Sequence, residues 1–178
     1  MRKLNAILSI VVLAVFVLHM AVDSLLMIGV INDYPVLQNS LSWLLLIVVA
    51  AHTVIGIKLT ADTFASMKKS GVSYMNDNLL FWTRRISGFA VMLFIVLHMA
   101  IFINGNGEKE IFDTFGLICS ILFILSLILH IVTNIRPLIS GLGKQCTGIS
   151  ISLTAFVFSL TVLASGAAFV IYYVKTCL

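Results

Sequence analysis

Charged side chains are scarce in this sequence, 10% of 178 residues, while 61% are hydrophobic. That balance excludes an ordinary soluble domain and predicts an integral membrane protein. Cysteine is sparse as well. Cys119, Cys146 and Cys177 lie far apart and form no C-x-x-C or C-x-x-C-H, which argues against an iron-sulfur cluster and against covalently attached haem on this chain. Little sequence is left between the apolar stretches, so no soluble domain of useful size is expected, and chemistry on a water-soluble substrate would fall to a partner. The basic residues form no stripe along one exposed face. They gather between the apolar stretches, a pattern of membrane topology rather than of nucleic-acid binding.

Five apolar stretches come close to the ~20 residues that a spanning helix needs: 4–31, 41–59, 86–103, 115–135 and 149–174. They predict an all-α integral membrane protein, a single membrane domain over 1–178 with five transmembrane helices. Met1-Arg2-Lys3 ahead of the first stretch could introduce a secretory signal, but the run is too long for a signal core and reaches no small-residue cleavage site, so it is expected to span. Nine basic residues (Arg2, Lys3, Lys58, Lys68, Lys69, Arg84, Arg85, Arg136 and Lys144) fall on one side of such an arrangement, and Lys109 and Lys175 on the other. The positive-inside rule then predicts a multi-pass protein of the cytoplasmic membrane with its N-terminus in the cytoplasm and its C-terminus outside.

The segment from about 59 to 85 is rich in Thr, Ser, Asp, Asn and Lys and has Trp82 near its end. It is expected to be a cytoplasmic connection with one short surface helix, serving either as a docking surface or as a solvated loop. Pro137 after Arg136 is expected to end the fourth span. The fifth span has no histidine but carries Ala164, Ser165, Gly166, Ala167 and Ala168, small residues that permit close packing in a scaffold or subunit interface.

The four histidines fall into a repeat. Val17-Leu18-His19-Met20-Ala21 returns as Val96-Leu97-His98-Met99-Ala100, and His52-x-Val54-x-x-Ile57-Lys58 returns as His130-x-Val132-x-x-Ile135-Arg136. The offsets are 79 and 78 residues, so one helical hairpin is expected to have been used twice, each copy with two histidines. At ~1.5 Å of rise per residue, His52 and His130 lie about 9 Å from the basic residue that ends each phrase, whereas His19 and His98 lie about 20 to 24 Å from Lys3 and Arg85. Depth therefore pairs His19 with His98 on the outer side and His52 with His130 on the cytoplasmic side. The repeat makes the same pairing.

A lone histidine within a span can simply bond a neighbouring helix or serve a proton path. Four of them, in two level pairs on four helices, point instead to two bis-histidine haems b within a bundle of the first four spans. Metal transport is the main competitor, but it would call for carboxylate or thiolate ligands at the same depth. Only Asp23 lies inside a span. Lys58, Arg84, Arg85, Ser87 and Arg136 are candidates to hold the propionates of the inner haem, and Gly56, four residues from His52, would leave room for a flat macrocycle. Ser126 and Asn134 are candidates to fix the His130 imidazole. Asp23 and the turn Asn32-Asp33-Tyr34 fall near the outer pair, where a carboxylate could take a proton from an oxidised quinol; Asp23 and Asp33 are the candidate acceptors.

Five spans, histidines on the first four, pairing of the first with the third and the second with the fourth, and Arg85-x-Ser87-Gly88 leading into the third span together resemble the dihaem cytochrome b membrane anchor of the succinate:quinone oxidoreductase and quinol:fumarate reductase family. The resemblance covers essentially the whole chain. It implies an electron-transfer anchor that links a membrane quinone, of menaquinone type, to a flavoprotein subunit and an iron-sulfur subunit on the cytoplasmic face. The chain would be the quinone-reactive part of an enzyme whose dicarboxylate chemistry belongs to those partners. A dihaem anchor of another oxidoreductase, such as a hydrogenase, would look similar, and a non-redox anchor or a metal transporter is the reading from a different class. Two departures accompany the resemblance. The connection between the first two spans is very short, so the acid near the quinone falls to Asp33 or Asp23, and the fourth span has no carboxylate beside His130 to serve a membrane proton pathway.

Overall fold

The computed structural model describes residues 1–31, 35–71, 79–104, 114–143, 145 and 148–177. Every regular element among them is a helix: α1 (Arg2–Met27), α2 (Pro35–Ser70), α3 (Leu79–Asn104), α4 (Thr114–Gly141) and α5 (Gly148–Cys177). All five are long and apolar enough to cross a membrane, which makes this a multi-pass membrane protein. Its surface agrees with that solvent. Val36, Leu163 and Phe89 are 79%, 71% and 65% exposed, a distribution costly in water and natural where lipid tails replace water.

Two compact units are present. The first comprises Met1–Gly71 and Arg136–Leu178, the second Val72–Ile135. In the first, α1 packs against both α2 and α5. Its contact with α5 carries Ser24 and Ser165, whose hydroxyl oxygens lie 3.1 Å apart, and Lys175 donates to the Ile28 carbonyl at 3.3 Å. Ala168 is buried, while a Cβ on Gly166 would meet nothing within 4 Å. The small residues of α5 are thus shared between a packed face and an open one. The last turns of α4 also belong to this unit. A Cβ on Gly141 would come within 2.9 Å of the Ala6 Cβ, so glycine permits that approach.

Several helix ends differ from the sequence expectation: α2 begins at Pro35 rather than 41 and α3 at Leu79 rather than 86, and three further ends differ for an identifiable local reason. α1 stops at Met27 rather than running to 31, because Gly29 takes φ +76° and closes a Schellman turn: its N–H donates to Leu26, and that of Val30 donates to Leu25. α2 does not stop near 59 but continues without a break to Ser70, so the residues expected to form a connection with a short separate surface helix extend the same helix instead. Its 36 residues span about 54 Å, well beyond the ~30 Å of a hydrocarbon core. Thr60, Thr63 and Ser66 turn their hydroxyls back onto the carbonyls of Gly56, Leu59 and Asp62, so these polar residues bond within the helix. Lys68 and Lys69 occupy the last turn, where the helix dipole favours cations. Gly71 at φ +65° then ends it.

α4 is the third case. Pro137 lies inside the helix rather than ending it. Proline lacks the N–H that would reach the Thr133 carbonyl four residues back. The Arg84 guanidinium of α3 supplies the missing donor, with Nε 2.8 Å from the Thr133 oxygen. Arg84→Ala should therefore destabilise the protein by about 1 kcal/mol, and much less once Pro137→Ala has restored the backbone donor. Thermal unfolding of the two single variants and the double variant in detergent measures that coupling.

Candidate functional site

His52 lies on α2 within the first unit, where α1 faces it with Ser9. The Ser9 hydroxyl is 3.5 Å from His52 Nδ1 and 2.9 Å from the Asn5 carbonyl of its own helix. In the second unit, α3 faces His130 of α4 with Ser87. That hydroxyl is 3.2 Å from His130 Nδ1 and 3.2 Å from the Arg84 carbonyl. Serine and histidine are 43 residues apart in both cases, and Ser87 follows Ser9 by 78 residues, as His130 follows His52. The two units thus repeat a contact that the phrases around the histidines do not contain. Ser9 went unnoticed in the sequence because a serine on an apolar helix satisfies itself by bonding backward; the 43-residue spacing was the available signal.

The surroundings of His130 are tight. Ser87 is 2% exposed, and a Cβ on Gly88 would lie 3.1 Å from His130 Cε1. Gly88 therefore lets α3 approach the imidazole edge, which gives Arg85-x-Ser87-Gly88 a physical reading: the serine meets the ring nitrogen and the glycine makes room. Asn134, expected at the ring, donates instead to the main-chain carbonyl of His130 at 2.7 Å.

His19 has different company. Its Nε2 is 3.2 Å from Asp23 Oδ2, one turn on along α1, as their shared helix face requires. Gln38 of α2 also approaches that carboxylate. His19 Nδ1 and Asp23 Oδ1 are buried without hydrogen-bond partners. His98 stacks at a tilt on Phe123, ring centroids 5.7 Å apart, in a recess with Phe94, Cys119 and Ser120.

Among the cations, Lys58 and Arg136 are exposed on α2 and α4, and Arg84 bonds Thr133 as described above. Arg85 sits over the Phe81 ring at 5.1 Å, with its Nε buried and without an acceptor. Asp33, with Asn32 and Tyr34, lies outside the described residues. Among the described residues no three His, Cys, Asp or Glu side chains converge.

A bis-histidine haem asks for something else: two neutral imidazoles, anchored at one nitrogen and offering the other. His52 and His130 meet the first part of that demand, each with a serine hydroxyl at Nδ1, whereas His19 meets Asp23 through Nε2 and has no partner at Nδ1. Arg85 holds a buried donor suited to a carboxylate, and nothing lies within 4 Å of a Cβ placed on Gly56, one turn from His52. No protein-family model, curated protein or solved structure matches the chain, so its own residues carry the functional reading.

Proposed function

We propose that this protein is an electron-transferring membrane anchor of a quinone-linked oxidoreductase, of the quinol:fumarate reductase or succinate dehydrogenase type. The observation that carries the reading is the duplicated serine-to-imidazole contact at His52 and His130. It gives those two side chains the local surroundings of axial ligands. His52 with His130 would hold one haem b, and His19 with His98 the other. When bound, such a group supplies one-electron transfer.

The remaining roles belong to the chain's side chains. Lys58, Arg84, Arg85 and Arg136 provide cations for propionates near the cytoplasmic ends of the spans, the side on which the positive-inside rule puts them. Among the described residues, Asp23 is the carboxylate suited to receive a proton from a quinol on the outer side, since its Oδ1 is buried and unpaired and a quinol hydroxyl would satisfy it. α2, reaching twelve residues past Lys58, provides a helical surface for flavoprotein and iron-sulfur subunits.

Gentle detergent extraction and purification of the full chain from its native membrane tests the assignment. A flavoprotein and an iron-sulfur protein should accompany it, and a menaquinol analogue should reduce the purified complex. A hydrogenase subunit in their place would move the anchor to another oxidoreductase. A haem-free chain purifying alone would contradict the reading.

A further inference from the structure

We infer that Ser9 and Ser87 are equivalent positioning residues, which hold the imidazoles of His52 and His130 as Nδ1–H tautomers and so make Nε2 of each ring its ligating nitrogen. The inference rests on the reading of His52 and His130 as axial ligands and deepens it.

Proton counting fixes the direction of these bonds. A serine hydroxyl has one hydrogen and two lone pairs. Ser9 gives its hydrogen to the Asn5 carbonyl and Ser87 gives its hydrogen to the Arg84 carbonyl. With that hydrogen on the helix carbonyl, neither hydroxyl has a second one for the neighbouring ring, and the contact to Nδ1 runs from the imidazole N–H to the serine oxygen; at Ser9 the back-bond is the shorter contact, 2.9 against 3.5 Å, and at Ser87 the two are equal at 3.2 Å. A neutral imidazole protonated at Nδ1 has its lone pair on Nε2. The back-bond of each serine along its own helix thereby selects the tautomer of a histidine on the next helix.

Ser87 was a candidate for a propionate on sequence grounds. A propionate, however, accepts hydrogen bonds, and the single Ser87 hydrogen already goes to Arg84. The assignment to the imidazole uses the hydroxyl as it stands. Repetition adds weight: the same residue type meets the same ring nitrogen over the same 43-residue spacing in both units. The two contacts are not equal, since 3.2 Å at Ser87 is a sound hydrogen bond and 3.5 Å at Ser9 is at the outer limit.

A partner that accepts from Nδ1–H makes the ligating nitrogen more basic and fixes the ring plane. The added basicity favours ferric over ferrous iron and the fixed ring favours retention, so removing the partner should raise the midpoint potential of the haem concerned and loosen its hold. The test uses the full chain, in its complex where one purifies, as wild type, Ser9→Ala, Ser87→Ala, the double variant and Ser87→Thr. Redox titration, the low-spin ferric electron paramagnetic resonance signals and the rate of haem transfer to apomyoglobin are read for each.

Ser87→Ala should raise the potential of one of the two haems, shift that haem's resonance signal and speed its loss ~10-fold. Ser9→Ala should move the same haem in the same direction by less, the double variant further, and threonine at 87 should restore the wild-type values. Serine variants of a dihaem protein with unchanged potentials and signals would overturn the inference while leaving the proposed function intact. Wild-type protein without haem would overturn both.

Discussion

Replacing His52 or His130 by alanine is expected to halve the haem content, from two per chain to one, and the two replacements should remove the same haem. His19→Ala and His98→Ala should each remove the other. A haem held by two histidines would be low-spin, so without one of them that signal should vanish even where the haem is retained. Electron transfer from quinol to the partner subunits should fall below detection in all four variants, because neither haem has a parallel route. Difference spectra and haem extraction with acid acetone follow these changes, the extraction working because no covalent attachment is expected. The pairing is what the experiment probes. Should His52→Ala and His130→Ala remove different haems, the match between the repeated phrases would have been read in the wrong sense.

Asp23→Asn is expected to lower quinol oxidation ~100-fold or more while both haems remain, the loss typical of removing a general base. Asparagine keeps the shape of the carboxylate and its contact with His19 but cannot take a proton. The geometry sharpens the expectation through Oδ1, a buried acceptor that lacks a donor, beside Oδ2, which His19 already engages at 3.2 Å. Asp33→Asn, measured in parallel, separates the two carboxylates. If Asp23→Asn turns over normally and Asp33→Asn fails, the acid lies in the connection between α1 and α2. If Asp23→Asn also loses a haem, its carboxylate serves His19 rather than the quinol.

The same contact exposes a limit of reading depth from sequence. His19 and His98 were paired by level and by the repeat, as were His52 and His130. Spacing alone could place Asp23 on the His19 face, and it does lie there. What spacing could not say is which ring nitrogen the carboxylate meets. It meets Nε2, whereas His52 and His130 are anchored through Nδ1, so Asp23 and an iron would compete for one nitrogen of His19.

The five helices were legible because each carries a long apolar run, and composition alone decides such a matter in a bilayer. Their ends were not. Thr60, Thr63, Ser66 and the lysines after them resemble loop composition, yet helix continuation costs little when the hydroxyls bond backward and the cations fall in the last turn. Pro137 read as a terminator because the rule concerns a lone helix. In the protein a neighbour's Arg84 replaces the lost donor, and the helix proceeds to Gly141. Partners 43 or 49 residues away in the chain, such as Ser9 for His52 or Arg84 for Thr133, depend on helix rotation, which apolar runs facing lipid on most sides specify poorly.

Haem stoichiometry tests the central claim most directly. The full chain, purified from membranes of cells supplied with iron and a haem precursor, is assayed by the pyridine haemochrome method against protein determined by amino-acid analysis. Two haems b per chain, both low-spin in the ferric state, is the result expected from four histidines acting as two axial pairs. Fewer than one haem per ten chains, in protein that remains folded and helical, would contradict it.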